Sequence, residues 1–219
     1  LTIHLDFNGE EVHSHTSDFP NELNVPYGIG KIMGTSLKPF DLIELEDGFI
    51  LVGEENYTDM PQGGQLEPVQ AAAGGGTFAT NYSKQIVIVK IDEDHEMSWA
   101  RKIRKSQKFA GGVTNLGHWA DYHDGKLWIM VNDHETNIGI KPENRAKVFT
   151  GGSGAHILLY QVMGHGTVKG MDVGAVGDMR GHGLSAFNPK AVFIDGDHII
   201  FQMQKSKKEG ELVYFDYDH

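Results

Sequence analysis

The pattern of apolar and polar positions predicts short β-strands joined by tight turns. Three segments, 41–53, 120–131 and 191–202, each place an Asp-Gly pair between two β-rich runs. Asp-Gly favours the two-residue turns that join antiparallel strands, because glycine adopts a positive φ at little cost. Each segment is therefore predicted to form a β-hairpin.

A second kind of hairpin signal lies between these segments. The runs LDFNG at 5–9, IDEDH at 91–95 and FDYDH at 215–219 share an apolar residue followed by Asp. Each run ends on glycine or histidine, and both residue types tolerate a turn position with positive φ. Residues 157–168 are a degenerate copy of this pattern. These runs predict the turns of a second set of hairpins.

The two kinds of hairpin alternate, so the repeating unit has four strands. The Asp-Gly pairs recur about every 70 to 80 residues, and helical periodicity is nearly absent. Such a repeat is typical of a β-propeller, in which four-stranded antiparallel sheets surround an axis. We therefore predict an all-β chain forming a β-propeller of four-stranded antiparallel blades, with a β-sandwich as the alternative.

The repeat also predicts the domain organisation. We expect a single propeller domain, or its C-terminal portion, with the following units: a half blade at 1–15, blades at 39–103 and 116–172, and an incomplete blade at 190–219. The incomplete blade ends on its third strand. We expect its fourth strand to come from elsewhere in the same protein or from another chain, and the visible ring to be part of a larger one.

The longer connections are predicted to gather at one face of the propeller. They cover 54–83, 103–117, 132–154 and 170–188. Loops longer than about 12 to 15 residues are uncommon in compact domains and often carry function. In the last, glycine-rich connection, Arg180 and His182 are candidate contacts for an anionic ligand, although plain turn formation is favoured there.

A polar run follows the predicted buried strand at 126–131. Asn132, Asp133 and Asn137 are candidate binding residues there, and their oxygen atoms raise the alternative of a calcium site. Calcium takes six to eight oxygens, whereas this run offers about four and lacks the spacing of an EF-hand loop. Turn formation, with these side chains bonding nearby backbone, is favoured, and no cofactor is predicted.

The twelve histidines invite a zinc hypothesis. His13 and His15 share one face of a predicted strand, and His118 and His123 flank a Trp-Ala-Asp-Tyr segment. Zinc sites take three or four protein ligands, and neither pair has a third ligand fixed by local spacing. No metal site is predicted.

Carboxylates on the predicted innermost strands suggest an enzymatic alternative. Glycoside hydrolases pair two Asp or Glu side chains around the scissile bond. Asp41, Glu44 and Asp121 are the candidates here, with Asp41 and Asp121 as the proposed catalytic pair. The favoured reading assigns these side chains to a surface or channel lining and names no catalytic residue.

Composition and charge exclude several classes. The formal charge of -11 argues against nucleic acid as a partner, and the one basic run, 101–108, is interpreted as a solvated strand edge. The lack of cysteine excludes disulfides and thiolate chemistry. No stretch of about 18 apolar residues occurs, so we expect no membrane-spanning segment.

Two segments carry a resemblance to a known family. Residues 99–107 and 126–137 resemble secreted bacterial propeller-like proteins of unknown function, in which a Trp-x-x-x-Ile-x-Lys-x-Gln strand precedes an apolar strand ending in Asn-Asp-x-x-x-Asn. His95 departs from the usual turn glycine of extracellular propeller repeats. The resemblance implies export and a propeller fold, and it supplies no catalytic residue.

These observations lead to one functional prediction and one alternative. We expect a non-catalytic, extracytoplasmic β-propeller that binds a protein or glycan partner through its long-connection face, for example as a subunit of an envelope complex. The alternative is a carbohydrate-active hydrolase that uses carboxylates at the central channel.

Overall fold

A computed structural model describes most of the chain. The described residues are 2–5, 11–15, 36–59, 80–110, 117–141, 144–150, 155–175, 186–195, 198–204 and 210–216. Within these ranges lie fourteen β-strands and one short 3₁₀ helix. The predicted all-β class is confirmed.

The first two sheets are antiparallel throughout. The first sheet pairs β1 (Thr2–Leu5) with β2 (Glu11–His15). The second sheet contains, in consecutive order, β3 (Ser36–Leu45), β4 (Gly48–Asp59), β5 (Thr80–Asp92) and β6 (Met97–Ile103), and β7 (Gln107–Ala110) also pairs with β5. The four consecutive strands of this sheet span residues 36–103, where the sequence predicts a unit at 39–103.

The third and fourth sheets continue the same meander. The third contains β8 (His118–His123), β9 (Lys126–His134), β10 (Ala155–Met163) and β11 (Val168–Ala175), with the 3₁₀ helix η1 (Glu135–Asn137) after β9. The fourth contains β12 (Ala186–Asp195), β13 (His198–Gln204) and β14 (Gly210–Asp216). Strand neighbours in both sheets are consecutive and antiparallel, as the fold class predicted.

The third sheet is packed between the second and the fourth. Successive side chains of a strand point to opposite faces. On β9, Leu127, Ile129 and Val131 join a buried cluster with the second sheet. The alternate residues Trp128 and Met130 join a cluster with the fourth sheet. Three sheets therefore stack face to face, with β9 buried on both faces.

The described turns have the predicted conformations at His95 and at Asp124–Gly125, whereas at the first Asp-Gly pair the two turn residues are Glu46 and Asp47 and Gly48 begins β4. His95 has φ 66°, and Asp124 has φ 50° followed by Gly125 at φ 72°. Two consecutive positive φ values define the turn that best matches the twist of a hairpin. The ends of the second and third sheets that carry the tight turns, at 46–47, 93–96, 124–125 and 164–167, are called the turn pole; the opposite ends are called the loop pole.

Side chains of β6 tie the second sheet to the third at the turn pole. Trp99 Nε1 donates to the carbonyl of Gly164 at 2.9 Å, and Arg101 Nε donates to the carbonyl of Gly166 at 2.7 Å. These bonds run from one sheet to the hairpin turn of the next. The Arg101 guanidinium therefore hydrogen-bonds within the molecule.

All four predicted connections are shorter than expected: β9 continues to His134, β11 continues to Ala175 and β12 begins at Ala186, so the bounds 132–154 and 170–188 are wrong at their ends. After a bulge at Glu54, β4 continues to Asp59 and pairs with β5 from Thr80 onward, and β7 occupies part of the second connection. The predicted bounds 54–83 and 103–117 are therefore wrong at their ends. The added residues of β4 and β5 are polar and do not alternate with apolar residues, so no local pattern predicts them as strands. Pairing with each other and with β7 holds them in the sheet.

Candidate functional site

A cluster of polar side chains lies between the second and third sheets, just beneath the loop pole. We call it the polar cluster; its members are the side chains of Glu54, Ser83, Lys105, Gln107, His118 and Asp133 and the main-chain carbonyl of Asn132. All except His118 are buried as whole residues, and the His118 side chain is 1% exposed. Buried polar groups at this density require partners, because an unpaired one costs several kcal/mol.

Lys105 is the central cation of the polar cluster. It lies in the short buried connection between β6 and β7, and its ammonium forms an ion pair with Glu54 and donates to Ser83. It also donates to Gln107 Oε1 at 2.8 Å, and Ser83 Oγ donates to Glu54 Oε1 at 2.5 Å. A buried ammonium is tolerated only with such pairing.

Gln107 carries the network across to the third sheet. Its Nε2 donates to the main-chain carbonyl of Asn132 at 2.5 Å, and its Oε1 accepts from the backbone N–H of Gly117 at 3.2 Å. One side chain on β7 thus bonds both the start of β8 and the end of β9. The polar cluster fixes the relative position of two sheets.

His118 connects the interior to β3, the first strand of the second sheet. Its Nε2 lies 3.3 Å from Asp41 Oδ2, and its Nδ1 lies 3.7 Å from Glu54 Oε1. Burial lowers the pKa of His118, but the two carboxylates outweigh burial and raise its pKa above the usual value. The Asp41 side chain is 41% exposed, so the chain of charges runs from solvent to the interior.

Glu54 is held as a carboxylate. Burial by itself raises the pKa of Glu54, but the Lys105 ammonium and His118 outweigh burial and hold that pKa well below its usual range. Its other oxygen, Oε2, accepts from Asn56 Nδ2 at 3.2 Å. Glu54 therefore neutralises Lys105 at neutral pH and is not free to exchange protons.

Asp133 behaves in the opposite way. Burial raises its pKa to about 7, although the Asn137 amide, which donates to Oδ1 at 2.9 Å, favours the ionised form. Oδ2 has no hydrogen-bond partner within the described residues. Burial also raises the pKa of the neighbouring Tyr160, and the negative charge of Asp133 raises it further. Asp133 is thus close to half protonated at neutral pH.

Asn137 anchors the segment that follows η1. Its Nδ2 donates to the carbonyl of Lys147 at 2.8 Å, and its Oδ1 accepts from the Lys147 backbone N–H at 2.8 Å. Phe149 in the same segment bonds to the backbone of Ser106 and Lys108. The amide of Asn137 is therefore occupied by protein groups, as the turn interpretation of 132–137 favours.

The structure describes three of the five residues that the sequence singled out for binding. Asn132, Asp133 and Asn137 are at most 1% exposed and lie beneath the loop pole. Arg180 and His182 lie outside the described residues. A ligand-binding role for these five residues stays a prediction.

The candidate catalytic and metal-binding residues lie in different surroundings. Asp121 is exposed on β8, and its Oδ1 accepts from the Tyr122 backbone N–H at 2.9 Å. His123 pairs with Asp124 at 3.4 Å, whereas His118 belongs to the polar cluster. Within the described ranges, no group of three or more His, Asp or Glu side chains is arranged to hold a metal ion.

Sequence analysis missed Glu54, Ser83, Lys105 and Gln107. The interpretation of 101–108 as a solvated strand edge is wrong for Arg104 and Lys105, which are 5% and 1% exposed. Lys105 and Gln107 stand at the Lys and Gln positions of the Trp-x-x-x-Ile-x-Lys-x-Gln pattern, and a spacing of two places both side chains on one face of an extended segment. Such a pair can bond to each other, as the Lys105 ammonium and Gln107 Oε1 do.

Comparisons with protein-family models, curated proteins and solved structures find no match to this chain. In the part of the chain that the structure describes, no helix is long and apolar enough to cross a membrane.

Proposed function

We propose that the chain forms blades of a β-propeller and that it binds a protein or glycan partner at its loop pole without catalysing a reaction. The propeller proposal is supported by the stack of consecutive antiparallel sheets. The outer face of the second sheet carries the buried residues Val87 and Val89, and that of the fourth carries exposed Leu212 and Tyr214. The exposed apolar face at the fourth-sheet end of the stack suits a further blade.

The observation that carries the binding proposal is that the buried ionisable groups form ion pairs and hydrogen bonds within the protein. Glu54, Lys105 and His118 bond one another, and Gln107 bonds the next sheet. A catalytic acid or base must contact a substrate, and these buried groups contact protein groups instead. They provide instead a rigid base for the connections that leave the loop pole, and rigid support is what a recognition surface needs.

The location outside the cytoplasm is part of the same proposal. It rests on the resemblance of 99–107 and 126–137 to secreted propeller-like proteins. Membership of an envelope complex is one form of this role.

One observation favours the hydrolase as the second candidate. Asp41 is partly exposed on the innermost strand, and His118 contacts its carboxylate. A carboxylate with an adjacent histidine is able to act as an acid or base. Asp121 is exposed on the neighbouring innermost strand.

A single experiment separates the two candidates. The chain is tested against a panel of polysaccharides for binding, by calorimetry, and for release of new reducing ends, with Asp41→Asn and Asp121→Asn as variants. We expect at least one polysaccharide to bind without release of new reducing ends, and Asp121→Asn to leave affinity unchanged. Release of reducing ends that disappears in either variant, with binding kept, identifies a hydrolase instead.

A further inference from the structure

Basic side chains surround a pair of stacked tyrosines at the loop-pole end of the second sheet. We call this group the basic-aromatic patch; its members are Tyr57, Tyr82, Lys84, Lys102, Arg104, Lys108 and Arg145. Tyr57 on β4 and Tyr82 on β5 are directly paired across the sheet, with ring centroids 4.4 Å apart and planes at 9°. The two rings form a flat, fixed centre.

The lysines are held over this centre. Lys84 Nζ lies 5.4 Å from the Tyr82 ring centroid and 5.9 Å from that of Tyr57. Lys108 Nζ, from β7, lies 5.6 Å from the same Tyr82 ring. Lys84 also donates to Ser106 Oγ at 3.0 Å. Cation–π contacts of this kind orient an ammonium, so the charges are held in place before any ligand arrives.

The cations crowd one another. Burial lowers the pKa of Lys84, and the charges of Arg145 and Lys108 lower it further. Burial and the charge of Arg104 likewise lower the pKa of Lys102. Glu55 is the carboxylate that opposes both shifts. Lys84, Lys102, Lys108 and Arg145 are at least partly exposed, and Arg104 is buried. These five cations with one such carboxylate leave repulsion that an anion bound at the accessible ones would relieve.

This local excess of positive charge contrasts with the whole chain, whose formal charge is -11. A nucleic acid duplex carries a phosphate charge about every 1.7 Å along its axis, and an extended duplex would run from the patch onto acidic surface. An acidic polysaccharide spaces its charges by whole sugar rings, so it can place one or two anionic groups at the patch. Arginine forks suit carboxylate and sulfate groups, which accept two parallel hydrogen bonds.

We propose that the basic-aromatic patch binds the carboxylate or sulfate groups of an acidic polysaccharide. This inference rests on the proposed function, because it specifies the ligand class of the loop-pole binding surface.

Matched pairs of charged and neutral glycans test the inference. The 219-residue chain is titrated by calorimetry with polygalacturonate and its methyl ester, and with dextran sulfate and dextran. We expect the charged member of a pair to bind and the neutral member not to bind. Affinity should fall as salt is raised, since the contacts are between charges. The two pairs distinguish a carboxylate ligand from a sulfate ligand.

Charge-reversal variants locate the contact. Lys108→Glu and Arg145→Glu change exposed side chains of the patch, and Lys169→Glu makes the same charge change at an exposed position on β11. Each patch variant should weaken binding by about tenfold or more, the loss expected for a charge-assisted contact. Lys169→Glu should bind like the parent chain, and unfolding curves should show that all three variants fold.

Several results overturn the inference. The basic-aromatic patch is excluded as the anion-binding site if charged and neutral glycans bind with equal affinity. It is also excluded if Lys108→Glu and Lys169→Glu lose equal affinity. Neither result excludes glycan binding elsewhere at the loop pole. Tighter binding of a single-stranded nucleic acid than of any glycan also overturns the inference. Binding of a protein partner with no glycan bound removes this ligand class and keeps the proposed function, whereas glycan hydrolysis removes the proposed function itself.

Discussion

At the scale of single residues, local backbone preference and long-range contact act on different positions. The positive φ of His95, Asp124 and Gly125 follows from turn chemistry, and the sequence predicts it. Gly166 also has a positive φ, of 85°, but its surroundings come from another sheet. A Cβ added there would lie 3.0 Å from Arg101 Nη2 and from Trp99 Cδ2.

Replacing Gly166 by alanine tests that inter-sheet contact. Gly139→Ala is the matched control, because Gly139 has φ 65° and a Cβ there would meet nothing within 4 Å. In both variants an alanine in the left-handed conformation lowers the free energy of unfolding by about 1 kcal/mol. We expect Gly166→Ala to lose roughly 1 kcal/mol more in denaturant unfolding. Equal losses in the two variants would mean that the turn is not packed against β6.

At the scale of elements, the sequence predicts the strands better than the links between them. Alternation and Asp-Gly pairs locate the hairpins because both signals are local. The buried connection at 104–106 was missed because its burial depends on Glu54 and Ser83, which belong to other strands. A lysine in a basic run looks solvated until its partner is known. The site was therefore less predictable than the fold.

The ion pair between Lys105 and Glu54 should hold this connection in place. Lys105→Met leaves a buried carboxylate without its cation, and we expect a loss of about 3 to 5 kcal/mol in the free energy of unfolding. The double variant Lys105→Met with Glu54→Leu removes both charges and should recover much of that loss. A double-mutant cycle by urea unfolding measures the coupling. Additive losses would contradict the pairing.

At the scale of the whole molecule, the polar cluster makes stability depend on pH. The pKa of Asp133 is raised to about 7, so the folded state holds that proton more tightly than the unfolded state, and stability falls as pH rises from about 4 to about 7. The raised pKa of His118 adds stability below its usual value of 6.5, which is lost as pH rises through the folded pKa. The lowered pKa of Glu54 adds stability above 4.5, which is lost in acid.

We therefore expect higher stability near pH 5 than near pH 8. Asp133→Asn replaces the carboxyl by a neutral group of the same shape. The free energy of unfolding of this variant should therefore fall by up to about 3 kcal/mol less between pH 5 and pH 8 than that of the parent chain. Asp121→Asn is the control, because its side chain is exposed and lies outside the polar cluster. Unfolding curves across this pH range measure the effect, and an unchanged slope in Asp133→Asn would show that another group titrates.

The alternation of apolar and polar positions runs along the whole molecule, and it predicts the all-β class and the antiparallel sheets. In the third sheet, β9 presents Leu127 to the second sheet and Trp128 to the fourth. The ligand was not predictable from this pattern. The basic-aromatic patch joins Tyr57, Tyr82 and Arg145 from separate parts of the chain, and only the pairing of β4 with β5 and the anchoring of 144–150 beside β7 bring them together.

Hydrogen exchange measured with and without a bound polygalacturonate or dextran sulfate tests the central claim, that the loop pole binds and does not catalyse. We expect slower exchange in peptides covering 53–59, 80–86, 104–110 and 144–150, no change at the turn-pole peptides 93–97 and 163–167, and an intact glycan recovered afterwards. Protection confined to the turn pole, or a shortened glycan, would contradict the account.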